Sequence, residues 1–208
     1  MHGIQIEPYD PGHREGVLRL LAEAFHGDPT LRYTFAAGEP GFERRLGSYL
    51  EAGHIWHLEA GQPLTLALSH GEPVGALYAM KPDAEMSEAS LDKLVSTMVS
   101  GCGPEATDRF FAYVRAMEAV EPQEEKHVLS ILAVRPDHQG RGVGTSLVED
   151  LIHQSGTHPS SRGIGLDTGN PGNLPFYARL GFEPVGEVEL AEGLSEVYLW
   201  RPRSRRTP

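Results

Sequence analysis

A glycine-rich turn separates an apolar stretch from an amphipathic one in ILAVRPDHQGRGVGTSLVEDLI, residues 131–152. Glycines at positions 140, 142 and 144 allow the backbone to turn tightly and to approach a ligand closely. The free N–H groups at the start of the following helix attract phosphate oxygens, and Arg141 adds a positive charge beside them. The pattern predicts a site for a phosphate or pyrophosphate, although a plain strand-to-helix turn would use the same residue types.

Two common nucleotide-binding motifs do not fit this turn. The dinucleotide fingerprint GxGxxG places its third glycine one residue later than Gly144, and it needs an acidic residue about 20 positions further on, at the end of a second strand. The P-loop pattern GxxxxGK followed by Ser or Thr does not occur in the chain. The spacing therefore argues against dinucleotide binding of this type and against mononucleotide hydrolysis.

The segment LAVRPDHQGRGVG resembles the acetyl-CoA-binding motif of the GNAT superfamily of N-acetyltransferases. In that motif a strand ending V-x-P precedes Q/R-x-x-G-x-G/A, and Gln139, Gly142 and Gly144 occupy its positions here. A second segment, LDTGNPGNLPFYARLGFEPVGE, is similar to the closing motif N-x-x-x-x-x-F/Y-Y-x-x-x-G-F of the same family. The two motifs occur in the family's order, and with both present the resemblance covers about residues 127–200.

Within the superfamily, the phrase HVLSILAVRPDHQGRGVG and the helical segment at 87–120 look most like the branch that contains puromycin N-acetyltransferase. The resemblance implies a GNAT-type α/β fold, with a mixed, mostly antiparallel central sheet and helices on both faces. It implies acetyl-CoA as cosubstrate and no metal. It does not name the acceptor, because acceptor pockets are built from variable helices and loops.

The resemblance also assigns the cofactor-binding residues. The backbone of Leu132, Ala133 and Val134 would contact the pantetheine arm as an added strand does, and the side-chain amide of Asn173 would contact it as well. Tyr177 would face the sulfur of CoA. The pyrophosphate would be held by the loop residues Gln139, Gly140, Arg141, Gly142, Val143, Gly144 and Thr145. Asn173 has the alternative role of a helix cap, and Tyr177 that of a core residue.

Acyl transfer to an amine predicts three catalytic roles. The backbone N–H of Leu132 is the candidate donor to the carbonyl oxygen as it gains negative charge, and Tyr177 is the candidate acid that protonates the leaving thiolate. Alkyl amines have a pKa of about 10.4, so a base or a desolvated pocket must first produce the neutral amine. Some relatives carry a glutamate base where this chain has Val128. The substitutes left open are Glu118, His127, Asp167 and a base acting through ordered water.

Other reactive side chains give weaker signals. His54 and His57 are three residues apart, but no nearby carboxylate or cysteine completes a zinc set. Cys102 stands between two glycines, where a small residue in a turn between helices is a simpler interpretation than a nucleophile. Two different functions remain open beside the transfer to a small-molecule amine: acetylation of a protein or peptide amine, and a non-catalytic acyl-CoA-binding module.

The composition is that of an ordinary folded protein. The chain has 208 residues, of which 39% are hydrophobic and 23% charged, enough for one continuous core without disulfide or metal support. We expect a single N-acetyltransferase domain over residues 1–208, with its core at about 4–202 and a frayed tail of Arg and Pro at 203–208.

Charge and hydropathy limit the classes of partner that the protein is expected to bind. A net charge of −11 disfavours binding to nucleic acid, which requires a basic surface, and an acidic face can attract cationic amines. No stretch has the length and apolar character of a membrane span or a secretory signal. We therefore expect a cytoplasmic protein with a small-molecule amine as its partner and with no nucleic acid or membrane partner. The sequence leaves open whether the chain forms a homodimer.

The periodicity of apolar residues predicts the elements that carry these residues. Helices are predicted after Asp10 and Pro11, from Phe42 to near Gly53, and twice between 87 and 120, where they would cover the acceptor pocket. Strands are predicted at 4–8, 64–69, 74–80 and 127–134, the last one central and buried on both faces. The remainder is predicted to be a helix at 143–154, a strand at 163–168, a helix at 174–180, and strands at 182–190 and 195–201.

Overall fold

One seven-stranded sheet forms the centre of the computed structural model, which describes residues 3–84 and 87–203. Its strand order is β1-β2-β3-β4-β5-β7-β6, and every neighbouring pair is antiparallel except β4 and β5. The strands are β1 (Ile4–Pro8), β2 (Leu64–Ser69), β3 (Glu72–Met80), β4 (His127–Val134), β5 (Gly163–Thr168), β6 (Glu183–Ala191) and β7 (Leu194–Pro202).

Within the described residues, seven α-helices flank this sheet. They are α1 (Arg14–Phe25), α2 (Pro29–Thr34), α3 (Phe42–Glu59), α4 (Glu88–Cys102), α5 (Pro104–Glu118), α6 (Val143–Thr157) and α7 (Leu174–Arg179). Because successive side chains of a strand point to opposite faces, Leu66 packs in a cluster with α1 to α5, whereas Ala67 packs in a second cluster with α6 and α7. The predicted fold, a mostly antiparallel mixed sheet covered on both faces, is confirmed.

The predicted helices differ from the observed ones mainly at their ends. Asp10 caps a 3-10 turn that leads into α1, as its sequence predicts, by accepting a hydrogen bond from the N–H of Gly12 at 2.8 Å. The predicted end of α3 near Gly53 is wrong, since this helix continues to Glu59 through the buried residues His54 and His57. The short helix α2 is absent from the predicted elements; Pro29 is its first residue, a position that suits proline because its fixed φ is helical.

The second half of β4 is less buried than its sequence predicts. Ser130 is an extra residue opposite the junction of Tyr78 and Ala79, which makes a β-bulge, and it is exposed. The prediction that β4 is buried on both faces is therefore wrong over its second half. The reason is that β5 pairs with β4 only through His127 and Val128, and the two strands separate beyond that point.

The carboxyl end of the described chain is anchored rather than frayed at Arg203. Its guanidinium donates hydrogen bonds to the carbonyls of Gly156 at 2.6 Å and His158 at 2.9 Å, and its backbone N–H donates to the carbonyl of Arg162 at 2.7 Å. The predicted frayed tail is therefore wrong at this residue, and its remainder, 204–208, lies outside the described residues. Among the described helices, none combines the length and the apolar character needed to cross a membrane.

Candidate active site

A cleft opens where β4 and β5 separate. Beyond Val128 the edge of β4 that faces β5 has no strand partner, so its backbone groups are available to a ligand. The walls of this cleft come from β4, from the loop before α6 and from the start of α7. Of the predicted cofactor-binding residues, ten line it: Leu132, Val134, Gln139, Gly140, Gly142, Val143, Gly144, Thr145, Asn173 and Tyr177.

Backbone direction distinguishes the three predicted contacts on β4. The N–H of Arg135 donates to the carbonyl of Val74 on the β3 side at 2.9 Å, so by alternation the N–H and C=O of Ala133 also point to β3. The backbone groups of Leu132 and Val134 then point into the cleft. Ala133, whose side chain is 1% exposed, belongs to the core and is not part of the candidate site.

The glycine-rich loop has the backbone geometry that its sequence requires. Gly140 and Gly142 have φ angles of +71° and +85°, and Gly142 is the N-terminal cap residue of α6. The first N–H groups of this 15-residue helix have no acceptor within the helix and face the cleft, where they can bind a phosphate. Gln139 closes the loop against β4 by donating from its side chain to the carbonyl of Val134 at 3.2 Å.

Two predicted members of the loop have other surroundings. A side chain at Gly144 would contact Phe176 at 3.4 Å, so this glycine permits close packing between α6 and α7. Arg141 is exposed and lies beside Arg135 and His138 in a neighbouring depression rather than in the cleft.

The cleft meets a second, smaller cavity of about 110 Å³, which we call the acid chamber. Three carboxyl groups line it: Asp28 from the start of α2, Asp167 from β5 and Glu196 from β7. Leu132, Asn173 and Tyr177 line both the cleft and the acid chamber, and these three residues therefore mark the junction of the two spaces.

Glu196 is the most unusual group in the acid chamber. Its residue is 2% exposed, its Oε1 accepts a hydrogen bond from Thr30 Oγ1, and its Oε2 is buried without a hydrogen-bond partner among the described residues. Burial, together with the nearby charge of Asp167, raises the pKa of the Glu196 carboxyl to about 8. A side chain at Gly169 would collide with Glu196 Oε1 at 2.7 Å, so glycine is needed for β7 to bring this carboxyl so close to β5.

The carboxyl group of Asp167 is hydrogen-bonded to a residue of α5. The hydroxyl of Tyr113 on α5 donates a hydrogen bond to Asp167 Oδ2. Burial raises the pKa of the Asp167 carboxyl, and the negative charge of Asp28 contributes in the same direction. Each of the three carboxyl groups thus makes ionisation of the others less favourable. A positive charge in the chamber would lower this free-energy cost of ionisation.

Tyr177 is buried at the junction and remains a phenol. Its ring packs edge-on against Phe176 and Phe182, with centroids 5.0 and 5.7 Å away. Burial, with a smaller contribution from Asp167, raises the pKa of its hydroxyl. Tyr177 is therefore a hydrogen-bond donor at neutral pH, and it is part of the apolar core at the same time, so the two predicted roles do not exclude each other.

Asn173 does not act as a side-chain helix cap. Its Nδ2 donates instead to Thr168 Oγ1 at 3.1 Å, and no capping hydrogen bond from this side chain is present in α7. The amide thus stands at the junction, fixed to the end of β5.

A third cavity, of about 230 Å³, continues from the acid chamber beneath α4 and α5, and we call it the apolar chamber. Tyr49, Leu50, Ser130 and Ile131 line both chambers. The remaining lining residues are mostly aliphatic and aromatic: Gly53, Trp56, His57, Tyr78, Leu91, Leu94, Met98, Phe110, Phe111 and Val114.

The candidate bases named from sequence fall in different places. Asp167 lines the acid chamber, but Glu118 is exposed at the end of α5 and lines neither chamber. His127 is buried at the start of β4, where its Nδ1 is 3.0 Å from Ser161 Oγ, and burial lowers its pKa to about 4. Glu118 and His127 are therefore not brought to the site.

Sequence analysis did not find Glu196 or Asp28. Glu196 alternates with Val197 and Leu199 along β7, a pattern typical of a solvent-facing residue. The available signal was that Tyr198 and Trp200 share its parity, which indicates that this face of the strand is covered. Asp28 stands directly before Pro29 and caps α2 through the N–H of Leu31, at 2.9 Å.

The weaker sequence signals have structural roles. His54 lies between two tyrosines, with its ring nitrogens 2.7 Å from the hydroxyl of Tyr78 and 3.3 Å from that of Tyr9. His57 Nε2 is 2.9 Å from the carbonyl of Pro63. Cys102 is buried at the end of α4, and burial raises the pKa of its thiol to about 11, which disfavours a nucleophilic thiolate.

Comparison with known proteins gives one family and a consistent fold. Residues 106–184 match the family model described as an acetyltransferase (GNAT) domain. A solved structure described as histone acetyltransferase HPA2 and related acetyltransferase, from Corynebacterium glutamicum, is 22% identical, with a TM-score of 0.75 and 99% coverage of both chains.

Two further structures are more distant in sequence. Arylalkylamine N-acetyltransferase 2 from Aedes aegypti is 14% identical, with a TM-score of 0.65, and 98% of this chain and 100% of that chain are covered. The ribosomal-protein-S18-alanine N-acetyltransferase from Escherichia coli is 14% identical, with a TM-score of 0.55 and coverage of 99% and 97%. At these identities the likeness establishes the fold, and the family match, which covers residues 106–184, supports an N-acetyltransferase.

Proposed function

We propose that this chain transfers an acetyl group from acetyl-CoA to a primary amine of a small molecule, by direct attack while both substrates are bound. The observation that carries this proposal is the junction at Leu132, Asn173 and Tyr177, where a cleft suited to CoA meets a buried chamber suited to an amine. A thioester at the end of the cleft and an amine in the acid chamber would meet at these three residues.

The cleft fits CoA on three features of the backbone. The free edge of β4 offers the N–H and C=O groups of Leu132 and the N–H of Val134 to the amide groups of the pantetheine arm, as a further strand would, while the Val134 carbonyl accepts from Gln139. The start of α6 offers N–H groups to the pyrophosphate, and the Asn173 amide lies between the two regions. Bound acetyl-CoA would supply the acetyl thioester at the junction.

Three groups of this chain then act on the reaction. The Leu132 N–H, directed into the cleft, would donate to the thioester carbonyl oxygen as the amine nitrogen attacks the carbonyl carbon. The C–S bond breaks, and the Tyr177 hydroxyl donates a proton to the departing sulfur. The nitrogen loses a proton as the amide forms, so the products are the N-acetylated amine and the free thiol. Of the bases named from sequence, Asp167 alone lines the chamber and keeps its place in the proposal, beside a base acting through ordered water.

Cavity size favours a small molecule over a protein or peptide amine. Helices α4 and α5 line the apolar chamber, Tyr113 of α5 also lines the acid chamber, and the volumes of about 230 and 110 Å³ suit an acceptor of modest size. The resemblance to the puromycin N-acetyltransferase branch is part of this proposal and identifies no acceptor.

Thiol release from acetyl-CoA, measured with and without a panel of primary amines, tests the proposal. Amine-dependent release with formation of the acetylated amine is expected, and the background is low because the one cysteine, Cys102, is buried. A non-catalytic acyl-CoA-binding module would bind acetyl-CoA in calorimetry but release no thiol with any amine, and that result would overturn the proposal.

A further inference from the structure

We propose that the acceptor is an amine carried on an apolar body, with its ammonium group against Glu196 and Asp167 in the acid chamber and its apolar body in the apolar chamber. This inference rests on the proposed function and specifies its substrate class. It also assigns to Glu196 the role of accepting a proton from the bound ammonium group.

The first argument is the unpartnered oxygen of Glu196. A buried carboxyl oxygen without a hydrogen bond carries the full cost of its desolvation, and native proteins rarely retain such a group unless a water, an ion or a ligand meets it. Thr30 already satisfies Oε1, so Oε2 is the atom left to contact a donor in the chamber. An ammonium group brings three N–H donors and the opposite charge.

The second argument is the imbalance of charge. Among the described residues that line the acid chamber there are three carboxyl groups and no Lys, Arg or His. Three carboxyl groups in one buried space would repel one another if all were ionised, and burial together with the nearby charge of Asp167 raises the pKa of Glu196. A cationic ligand would lower this cost, whereas an anionic or neutral one would not.

The third argument is the chemistry of the apolar chamber. Its lining among the described residues includes no Asp, Glu, Lys or Arg. His57 Nε2 is 2.9 Å from the carbonyl of Pro63, and the Trp56 indole N–H is buried without a described partner. The polar groups that remain on this lining are neutral, and they include the hydroxyls of Tyr49 and Ser130. An apolar cavity of about 150 Å³ holds benzene, so the 230 Å³ found here suits a six-carbon chain or a phenyl group.

The two chambers adjoin each other, and an acceptor that occupies both must be amphiphilic. Four residues line both chambers, Tyr49, Leu50, Ser130 and Ile131, and the β-bulge at Ser130 lies at this boundary. A molecule with its amine in the acid chamber therefore extends its other end into apolar surroundings. A second charge at that end would be buried without a partner, at a large cost in binding.

A series of six-carbon amines tests the inference with the full-length protein. Hexylamine, 1,6-diaminohexane and 6-aminohexanoate share the reacting group and the chain, and they differ in the far end. We expect kcat/KM to be at least roughly 100-fold higher for hexylamine than for either charged analogue, because only hexylamine avoids burying a second charge.

Two pairs of variants locate the effect. Glu196→Gln should lower kcat/KM for hexylamine by roughly 100-fold, the lower end of the usual range for a positioned base, while Glu187→Gln, on the exposed surface of β6, should not. Leu91→Gln should raise the KM for hexylamine roughly 10-fold through lost apolar contact. Its control is Val99→Gln on the same helix, at 41% exposure against 37% for Leu91 and outside the chamber lining.

The outcomes separate this inference from the proposed function. Calorimetry should give the same acetyl-CoA affinity for all four variants, and melting temperatures confirm that each one folds. Equal or faster turnover of 1,6-diaminohexane, or wild-type turnover in Glu196→Gln, would overturn the substrate class and leave acetyl transfer standing. Acetyl-CoA binding without thiol release from any amine would overturn the proposed function, and the substrate class with it.

Discussion

The cofactor cleft and the two acceptor chambers share three residues, yet they are built in different ways. The cleft is lined by two short stretches of chain, 132–145 and 172–179, and it uses mainly backbone groups and glycines. The chambers are lined by side chains from Phe25 to Glu196, contributed by α1 to α5 and by β3, β4, β5 and β7. A cosubstrate shared by many enzymes can be bound by a local motif, whereas an acceptor needs side chains that only the tertiary fold brings together.

Because the cleft depends mainly on backbone groups and glycines, we expect the largest effect on CoA affinity from a substitution in the glycine-rich loop. Gly142→Asp would place a carboxylate at the start of α6 and a side chain at a φ of +85°, so CoA affinity should fall by at least roughly 100-fold. Isothermal titration with CoA measures the loss. Gly193→Asp in the β6–β7 turn, where φ is +76° and the added side chain meets nothing, is the matched control for backbone strain. Equal CoA affinity in the two variants would remove the loop from the site.

The junction residue Tyr177 gives the next largest effect. Tyr177→Phe keeps the ring contacts with Phe176 and Phe182 and removes only the hydroxyl, so kcat should fall by roughly 10- to 1000-fold while CoA affinity changes little. Tyr33→Phe, at an exposed tyrosine, should have no effect. The measurement is the rate at saturating acetyl-CoA under conditions where chemistry limits turnover, and an unchanged rate would leave Tyr177 with a packing role alone.

The buried Glu196 carboxyl of the acid chamber should make the thermal stability of the protein depend on pH. The raised pKa means that Glu196 stabilises the fold only as its protonated form, so its contribution is present below the unfolded pKa of about 4.3 and is lost as pH rises towards about 8. Glu196→Gln should therefore raise Tm relative to wild type by about 2–4 °C at pH 8, for a gain of about 1 kcal/mol, and by less at pH 5.

Thermal denaturation at several pH values measures this difference. Other titratable groups line the same chamber and are present in both proteins, so the comparison isolates Glu196; they are Asp28 on α2, Tyr49 on α3, Tyr113 on α5, Asp167 on β5 and Tyr177 on α7. A Tm difference that does not change between pH 5 and pH 8 would contradict the assignment of the raised pKa to Glu196.

The same contrast explains what the sequence could predict. β1, β2, β4 and β5 have their predicted bounds, and Gly140 and Gly142 have the positive φ angles typical of a glycine-rich turn, because each of these features depends on neighbours close in sequence. Glu196 was missed because its burial depends on β7 lying beside β5, with Thr30 from α2 above it. His127, a candidate base in the sequence, lies away from the cleft for a similar reason. Its surroundings, Ser161 and His158, come from a distant part of the chain.

The separation of β4 from β5 shows a second limit of sequence reasoning. The apolar run at 127–134 predicts a strand, and its composition suits burial on both faces. It does not reveal that pairing with β5 stops after Val128, or that Ser130 forms a bulge. Both features follow from the register of distant strands, and both create the space in which the proposed chemistry takes place.

The central claim is that the cleft and the chambers form one continuous site joined at Leu132, Asn173 and Tyr177. A conjugate in which the nitrogen of hexylamine is linked through an acetyl group to the sulfur of CoA tests it in one calorimetric titration. The account predicts that this conjugate binds at least roughly 100-fold more tightly than CoA, because one molecule fills both regions. A conjugate affinity no higher than that of CoA would contradict the claim.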